Sequence, residues 1–177
     1  FIGNQYLDET RMQLFQYNKD KFVEVKNFKE SDLNGFPEKD SVYWLNIHGI
    51  HDVELIKKIC YKLQIHHLVV QDILDTGQRP KLQDFEAYLF VSVKSILPTE
   101  NNELQIEQIS FILGSNFVLS FQEKPADFFE HIRQRIREYK GIARERSADY
   151  LLYLLMESIL DSYFTTLDDI EPKIYDL

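Results

Sequence analysis

From Tyr153 onward, apolar or aromatic residues fall at Tyr153, Met156, Leu160, Tyr163, Leu167, Ile170, Ile174 and Leu177. The steps are 3, 4, 3, 4, 3, 4 and 3. An α-helix puts residues at that spacing on one side. A seam held for about three heptads predicts a long helix that packs lengthwise against another helix. Pro172 falls inside the seam and predicts a kink, because proline removes a backbone donor and crowds the preceding turn. The seam is still in step and uncapped at Leu177, so the helix is expected to continue past it. Phe1 stands where an initiator Met would, the matching expectation for a piece of a longer protein.

Upstream the periodicity changes. "RMQLFQYN" and "KFVEVKNF" alternate apolar and polar residues around Lys19-Asp20 and predict a hairpin. "KESDLNGFPEKD" reads as a helical turn and a loop, and "SVYWLNIHGI" as a strand ended by Gly49. Asp52 is placed to cap the helix "DVELIKKICYKLQI", whose Val53, Ile56, Ile59, Cys60 and Leu63 share one face. "HHLVVQDILD" predicts a second short helix, with Gly77 at its C-terminal cap and Pro80 beyond.

"DFEAYLFVSVKSIL" predicts one strand, with Phe85, Ala87, Leu89, Val91 and Val93 on one face and Tyr88 and Phe90 on the other. "PTENNE" predicts a turn. "LQIEQISFILG" and "NFVLSFQE" predict a hairpin across Gly114-Ser115-Asn116, and "PADFFEHIRQRIREY" an amphipathic helix starting near Pro125. The expected fold class is α/β in the mixed α+β sense. A mixed parallel and antiparallel sheet is sandwiched by helices (residues 1–140), and the start of the long helix follows (residues 141–177).

Charge and composition narrow the function. A formal net charge of -9 argues against nucleic-acid binding, which calls for a basic surface, and suits divalent cations or simple solubility. The single cysteine, Cys60, has no internal disulfide partner and sits among apolar helix positions, where a buried structural thiol is expected. The longest unbroken apolar run, Tyr150 to Met156, is far short of the ~20 residues that span a bilayer.

No glycine-rich phosphate loop and no nucleophile elbow is present, so the chain is not read as an enzyme. His48, His51, His66 and His67 would be the ligands of a soluble zinc metallohydrolase if they converged, since a zinc site needs three or four nitrogen or sulfur donors. His48 and His51 straddle a strand end, which favours structural or surface roles. Among the acids, Asp72 and Asp75 lie three apart on one short helix. Glu157 and Asp161 are i, i+4 neighbours beside the seam, with Asp168 seven residues further on. On spacing alone such acids read as a solvated face or an inert structural surface.

The strings "WLNIHGIHD", "IHHLVVQDILDTGQRPKLQDFEAYLFVSVKSI", "EQISFILGSNFVLSFQE" and "RIREYKGIARERSADYLLYLLMESILDSYF" resemble, in order and spacing, the cytoplasmic amino-terminal domain of the CorA family of magnesium transporters. The resemblance runs roughly from Trp44 to Phe164. It implies a homopentamer on the cytoplasmic face of a prokaryotic inner membrane, with a stalk helix and two membrane helices beyond this chain. It implies magnesium as both cargo and regulator, with cobalt or nickel as further cargo. The family's Gly-Met-Asn pore motif is absent here, and Gly114-Ser115-Asn116 is only a turn.

The resemblance also implies a regulatory divalent-cation site at subunit boundaries, with Asp72, Glu157 and Asp161 as its ligands in this chain. Two positions depart from the family pattern. Gln71 stands where a Glu usually precedes the sensing Asp, and His66-His67 stands where His-Pro is frequent. A zinc-transporting relative with the same soluble domain is the alternative reading.

Overall fold

The computed structural model describes residues 1–3, 5–98, 103–124 and 128–175. The strands are β1 (Arg11–Tyr17), β2 (Phe22–Val25), β3 (Val42–His48), β4 (Lys81–Asp84), β5 (Leu89–Pro98), β6 (Leu104–Leu113) and β7 (Phe117–Gln122). The helices are α1 (Val53–Lys62), α2 (His67–Leu74), α3 (Glu130–Arg137) and α4 (Ala148–Tyr175), with 3-10 turns at Glu30–Asp32 and Ala143–Glu145.

Local chemistry sets many of these elements. The Asn18 side chain closes the β1–β2 turn by accepting from the backbone N–H groups of Asp20 and Lys21, at 2.9 and 2.7 Å. Gly49 takes a φ of +81°, open to a residue without a Cβ, and turns the chain out of β3. Asp52 caps α1 by accepting from Leu55 N at 3.0 Å.

The seven strands form one sheet in the order β2-β1-β3-β7-β6-β5-β4. The β3–β7 pair is parallel and every other ladder is antiparallel, so the sheet is mixed. Helices cover both faces. Trp44, Phe111 and Val118 meet α3 and α4 on one side, while Leu45, Ile47, Leu119 and Phe121 meet α1 and α2 on the other. Six of the seven β3 residues are buried, as a central strand covered on both faces requires. Trp44 Nε1 donates to Ser120 Oγ at 2.9 Å and Ser120 Oγ donates to Asn46 Oδ1 at 3.0 Å, so β3 and β7 share a polar chain inside the core.

Three expectations need correction. The segment Asp84–Leu97 is not one strand: Asp84 ends β4, the chain turns at Phe85–Tyr88 with Phe85 N donating to Tyr88 O at 2.9 Å, and β5 begins at Leu89. That turn contains neither Gly nor Pro, and the alternation runs straight through it, so periodicity did not reveal the break. Helix α2 ends on Asp75 rather than Gly77, because Asp75 Oδ1 accepts from Gly77 N at 3.1 Å and closes an Asx turn. Helix α3 starts at Glu130, later than Pro125; residues 125–127, like most of "PTENNE", lie outside the described residues.

Helix α4 forms and includes Pro172, but it packs first on the sheet, through Leu151, Leu155 and Ile159. The seam residues Tyr153, Leu160 and Leu167 lie 55, 52 and 60% exposed. The sheet's broad apolar face takes the larger aliphatic stripe together with Met156 and Tyr163 at the edge of the seam. No helix among the described residues is long and apolar enough to cross a membrane.

Candidate functional site

Helix α2 begins with His66 as its N-cap, the ring Nδ1 accepting from Leu68 N at 3.2 Å. The His66 backbone N–H donates to Tyr88 Oη at 2.9 Å, which ties the start of α2 to the β4–β5 turn. From that anchor the helix buries Val69, Val70, Ile73 and Leu74 and carries Asp72 to the sheet with them. Asp72 is 9% exposed.

Asp72 is held in a defined setting. Its backbone carbonyl accepts from Gln108 Nε2 at 3.0 Å, fixing the helix against β6. Its Oδ1 lies 2.9 Å from the ammonium of Lys81, the first residue of β4. Its Oδ2 takes no hydrogen bond from the described residues. Beside it, Lys94 donates to Thr76 O and, at 3.4 Å, to Gln108 Oε1. Burial holds the Lys94 ammonium below its usual pKa, although the nearby carboxylates of Glu123 and Asp75 oppose the shift.

Glu157 approaches the same region from the other helical layer. It is exposed on α4, and its Oε1 accepts from Tyr153 Oη at 3.1 Å. It borders a groove of about 430 Å³ lined by Pro80, Val93, Lys94, Tyr153, Met156 and Leu160. Asp72 and Glu157 thus flank the Pro80-Lys81 segment from opposite layers. Asp161, one turn further along α4, is exposed, and so is Asp168. Gln71 is exposed on α2, next to Asp72 but turned toward solvent.

The other candidates separate. Asp75 spends its carboxylate on Gly77 N and Gln78 Nε2. His48 Nε2 sits 3.0 Å from Gln122 Oε1, at the end of the β3–β7 ladder. The rings of His66 and His67 lie tilted with centroids 4.3 Å apart, at the start of α2. Among the described residues, no three His, Cys, Asp or Glu side chains converge on a point where a metal could be held. The four-histidine zinc arrangement is therefore not assembled. Cys60 is buried, and desolvation pushes its thiol up to about 12, so it is inert as a nucleophile at neutral pH.

Asp72 keeps one carboxylate oxygen without a hydrogen-bond donor among the described residues, in a nearly buried position. Sequence reasoning missed Lys81 as its partner. Arg79, Lys81 and Lys94 are all cations within reach along the chain, and only the hairpin shows which one folds back onto Asp72. It also missed Glu107, a buried acid on β6 that accepts from Lys124 N at 2.9 Å, because between Ile106 and Gln108 it reads as the polar step of an alternating strand.

The family model described as CorA-like Mg2+ transporter protein matches residues 39–177. The chain belongs to the CorA family. It is 38% identical over 171 residues to the cobalt/magnesium transport protein CorA of Thermotoga maritima, covering 96% of this chain and 49% of that protein. It therefore spans about half the length of this CorA relative. The soluble domain of CorA from Methanocaldococcus jannaschii shares the fold, with a TM-score of 0.66 and 16% identity, over 92% of this chain and 62% of that one. The ZntB cytoplasmic domain from Vibrio parahaemolyticus also shares it, with a TM-score of 0.71 and 16% identity, over 94% of this chain and 65% of that one. The mixed sheet with its long last helix is thus the fold of a CorA soluble domain.

Proposed function

We propose that this chain is the regulatory domain of a divalent-cation transporter on the cytoplasmic face of a prokaryotic inner membrane. In this reading it senses internal magnesium and gates a pore formed by segments beyond it. Magnesium is both cargo and regulator, with cobalt or nickel as further cargo. Residues 1–140 are the sensing α/β unit, and residues 141–177 begin the stalk helix that transmits the signal.

The observation that supports the reading is the placement of Asp72, nearly buried, and Glu157, exposed, on either side of Pro80-Lys81, with no complete set of ligands among the described residues. A site using Asp72, Glu157 and Asp161 takes its remaining donors from a neighbouring copy. Five copies in a ring supply them at each boundary. Without cation the facing carboxylates repel and the ring loosens; a bound cation neutralises them and favours a compact, closed state. Moving such an equilibrium from 1:99 to 99:1 takes about 5.5 kcal/mol, so five sites need contribute only ~1 kcal/mol each. The apolar stripe of α4 left exposed by the sheet is the surface along which neighbouring helices pack as the ring closes.

The experiment is magnesium flux through the full-length transporter as a function of internal magnesium. Asp72→Ala combined with Glu157→Ala is expected to abolish shut-off at high internal magnesium. Unchanged shut-off rejects the assignment. A zinc-transporting relative is the second reading, and the shape match to the ZntB domain is compatible with it. Flux of zinc in preference to magnesium through the same protein selects that alternative.

A further inference from the structure

Lys81 makes its ion pair on a carboxylate that is almost out of water. The Asp72 side chain is 12% exposed and that of Lys81 32% exposed, with Nζ and Oδ1 at 2.9 Å. A carboxylate at that depth is strongly disfavoured as a bare anion, and a cation beside it relieves the cost. The pair spans the helix α2 and the strand β4, so each end is fixed by a different element. Lys81 follows Pro80, whose ring restricts the backbone. Its backbone N–H donates to Ser92 Oγ at 3.2 Å, and Ser92 is its register partner on β5. The stem is therefore anchored, while the long side chain keeps an open side through which it can swing to solvent.

We propose that Lys81 is a tethered competitor cation at Asp72, which occupies the carboxylate when no metal is bound and raises the magnesium concentration at which the site fills. The inference rests on Asp72 being a cation ligand. A divalent cation with its water shell needs the oxygen that Lys81 holds, or must share the carboxylate with an ammonium that repels it. In either case, binding has to displace Lys81 or weaken its pair. Oδ2, free of described donors, is where an incoming hydrated cation makes first contact before the ammonium leaves Oδ1. The competitor also keeps Asp72 compensated in the metal-free protein, so an empty site does not unfold the α2–β4 edge. Gln108 and Lys94 do not replace it, because they bond to the carbonyls of Asp72 and Thr76 and not to the Asp72 carboxylate.

The test uses the full-length transporter in detergent and in vesicles, with magnesium chloride as the probe. Two readouts are followed: the magnesium concentration at half-maximal thermal stabilisation, and the internal magnesium at half-maximal shut-off of flux. Lys81→Gln is expected to lower both midpoints about tenfold. Tenfold, about 1.4 kcal/mol, is the order of the Coulomb energy between two unit charges about 3 Å apart in a high dielectric. Lys81→Arg keeps the charge and is expected to leave the midpoints within about twofold of wild type. Lys81→Met, which preserves the apolar stem, guards against a packing effect and is expected to behave as Lys81→Gln.

Unchanged or raised midpoints in Lys81→Gln and Lys81→Met overturn the competitor role. If Asp72→Asn raises the midpoints in the same series, the ligand role of Asp72 stands without it. If Asp72→Asn leaves both midpoints at the wild-type value, the reading of Asp72 as a cation ligand fails, and the competitor role fails with it.

Discussion

Arg137 grips Glu24 with two parallel hydrogen bonds, Nε to Oε2 at 2.9 Å and Nη2 to Oε1 at 2.8 Å. The pair joins the end of α3 to the edge strand β2, and Gln13 Nε2 adds a third donor to Glu24 Oε1 at 2.6 Å. The Arg137 hydrogen bonds hold the Glu24 carboxyl below the usual carboxylate range, although partial burial opposes them. A depressed folded-state pKa contributes stability above the unfolded value of about 4.3, and that stability is lost as pH falls through the folded value. Both side chains are partly exposed, so the contribution is discounted for solvent. Glu24→Gln is expected to cost about 1 kcal/mol at pH 7. Urea unfolding at pH 7 and again at pH 3 checks this, with the deficit shrinking at the lower pH.

Glu107 moves stability the other way. Burial pushes its carboxyl up to about 7, against the opposing hydrogen bond from Lys124 N. A folded-state pKa above the unfolded one means that ionisation works against folding. Stability is therefore lost as pH rises from about 4.5 to about 7, and is flat beyond. Glu107→Gln retains an oxygen for Lys124 N and removes the titration. Its unfolding free energy is expected to stay level across that window while wild type falls, by up to ~3 kcal/mol.

Neighbouring residues on α4 are expected to respond in opposite ways. Ile159 is 2% exposed against the sheet, whereas Leu160 is 52% exposed on the seam. Ile159→Ala is expected to cost about 2–4 kcal/mol through lost burial and a cavity. Leu160→Ala in this chain alone is expected to change stability by no more than about 0.5 kcal/mol. If neighbouring α4 helices pack along the seam as proposed, Leu160→Ala in the full-length protein is expected to lower the stability of the oligomer. Thermal melts of the two forms compare these outcomes.

Ser120 is the link between two buried groups, accepting from Trp44 Nε1 and donating to Asn46 Oδ1. Ser120→Ala strands the indole N–H inside the core. The expected cost is about 1–3 kcal/mol, and near-ultraviolet circular dichroism is expected to report a changed Trp44 environment.

Much of the element list was legible before any coordinates. The β1–β2 hairpin, β3, α1 with its Asp52 cap, the β6–β7 hairpin and the long α4 are written in spacings and caps within a dozen residues. Asp72 stands out as a candidate ligand only through the resemblance to CorA, since acids three or four apart are ordinary on a helix surface. The β4–β5 turn was not legible, because Phe85-Glu86-Ala87-Tyr88 carries no turn residue and its alternation continues through the break.

The sequence by itself determined what each segment is: strand or helix, capped or open, apolar on one face or two. Those properties follow from φ/ψ preferences and side-chain periodicity between near neighbours along the chain. Only the tertiary structure decided which partner each face receives. It paired β3 with β7 in parallel across the intervening helices and hairpins. It gave the sheet the Leu151–Ile159 stripe of α4 and left Tyr153, Leu160 and Leu167 of the heptad seam exposed. It set Lys81, and not Arg79 or Lys94, on Asp72. Each choice is a competition between distant groups for one surface or one charge, and burial settles it after the chain has closed.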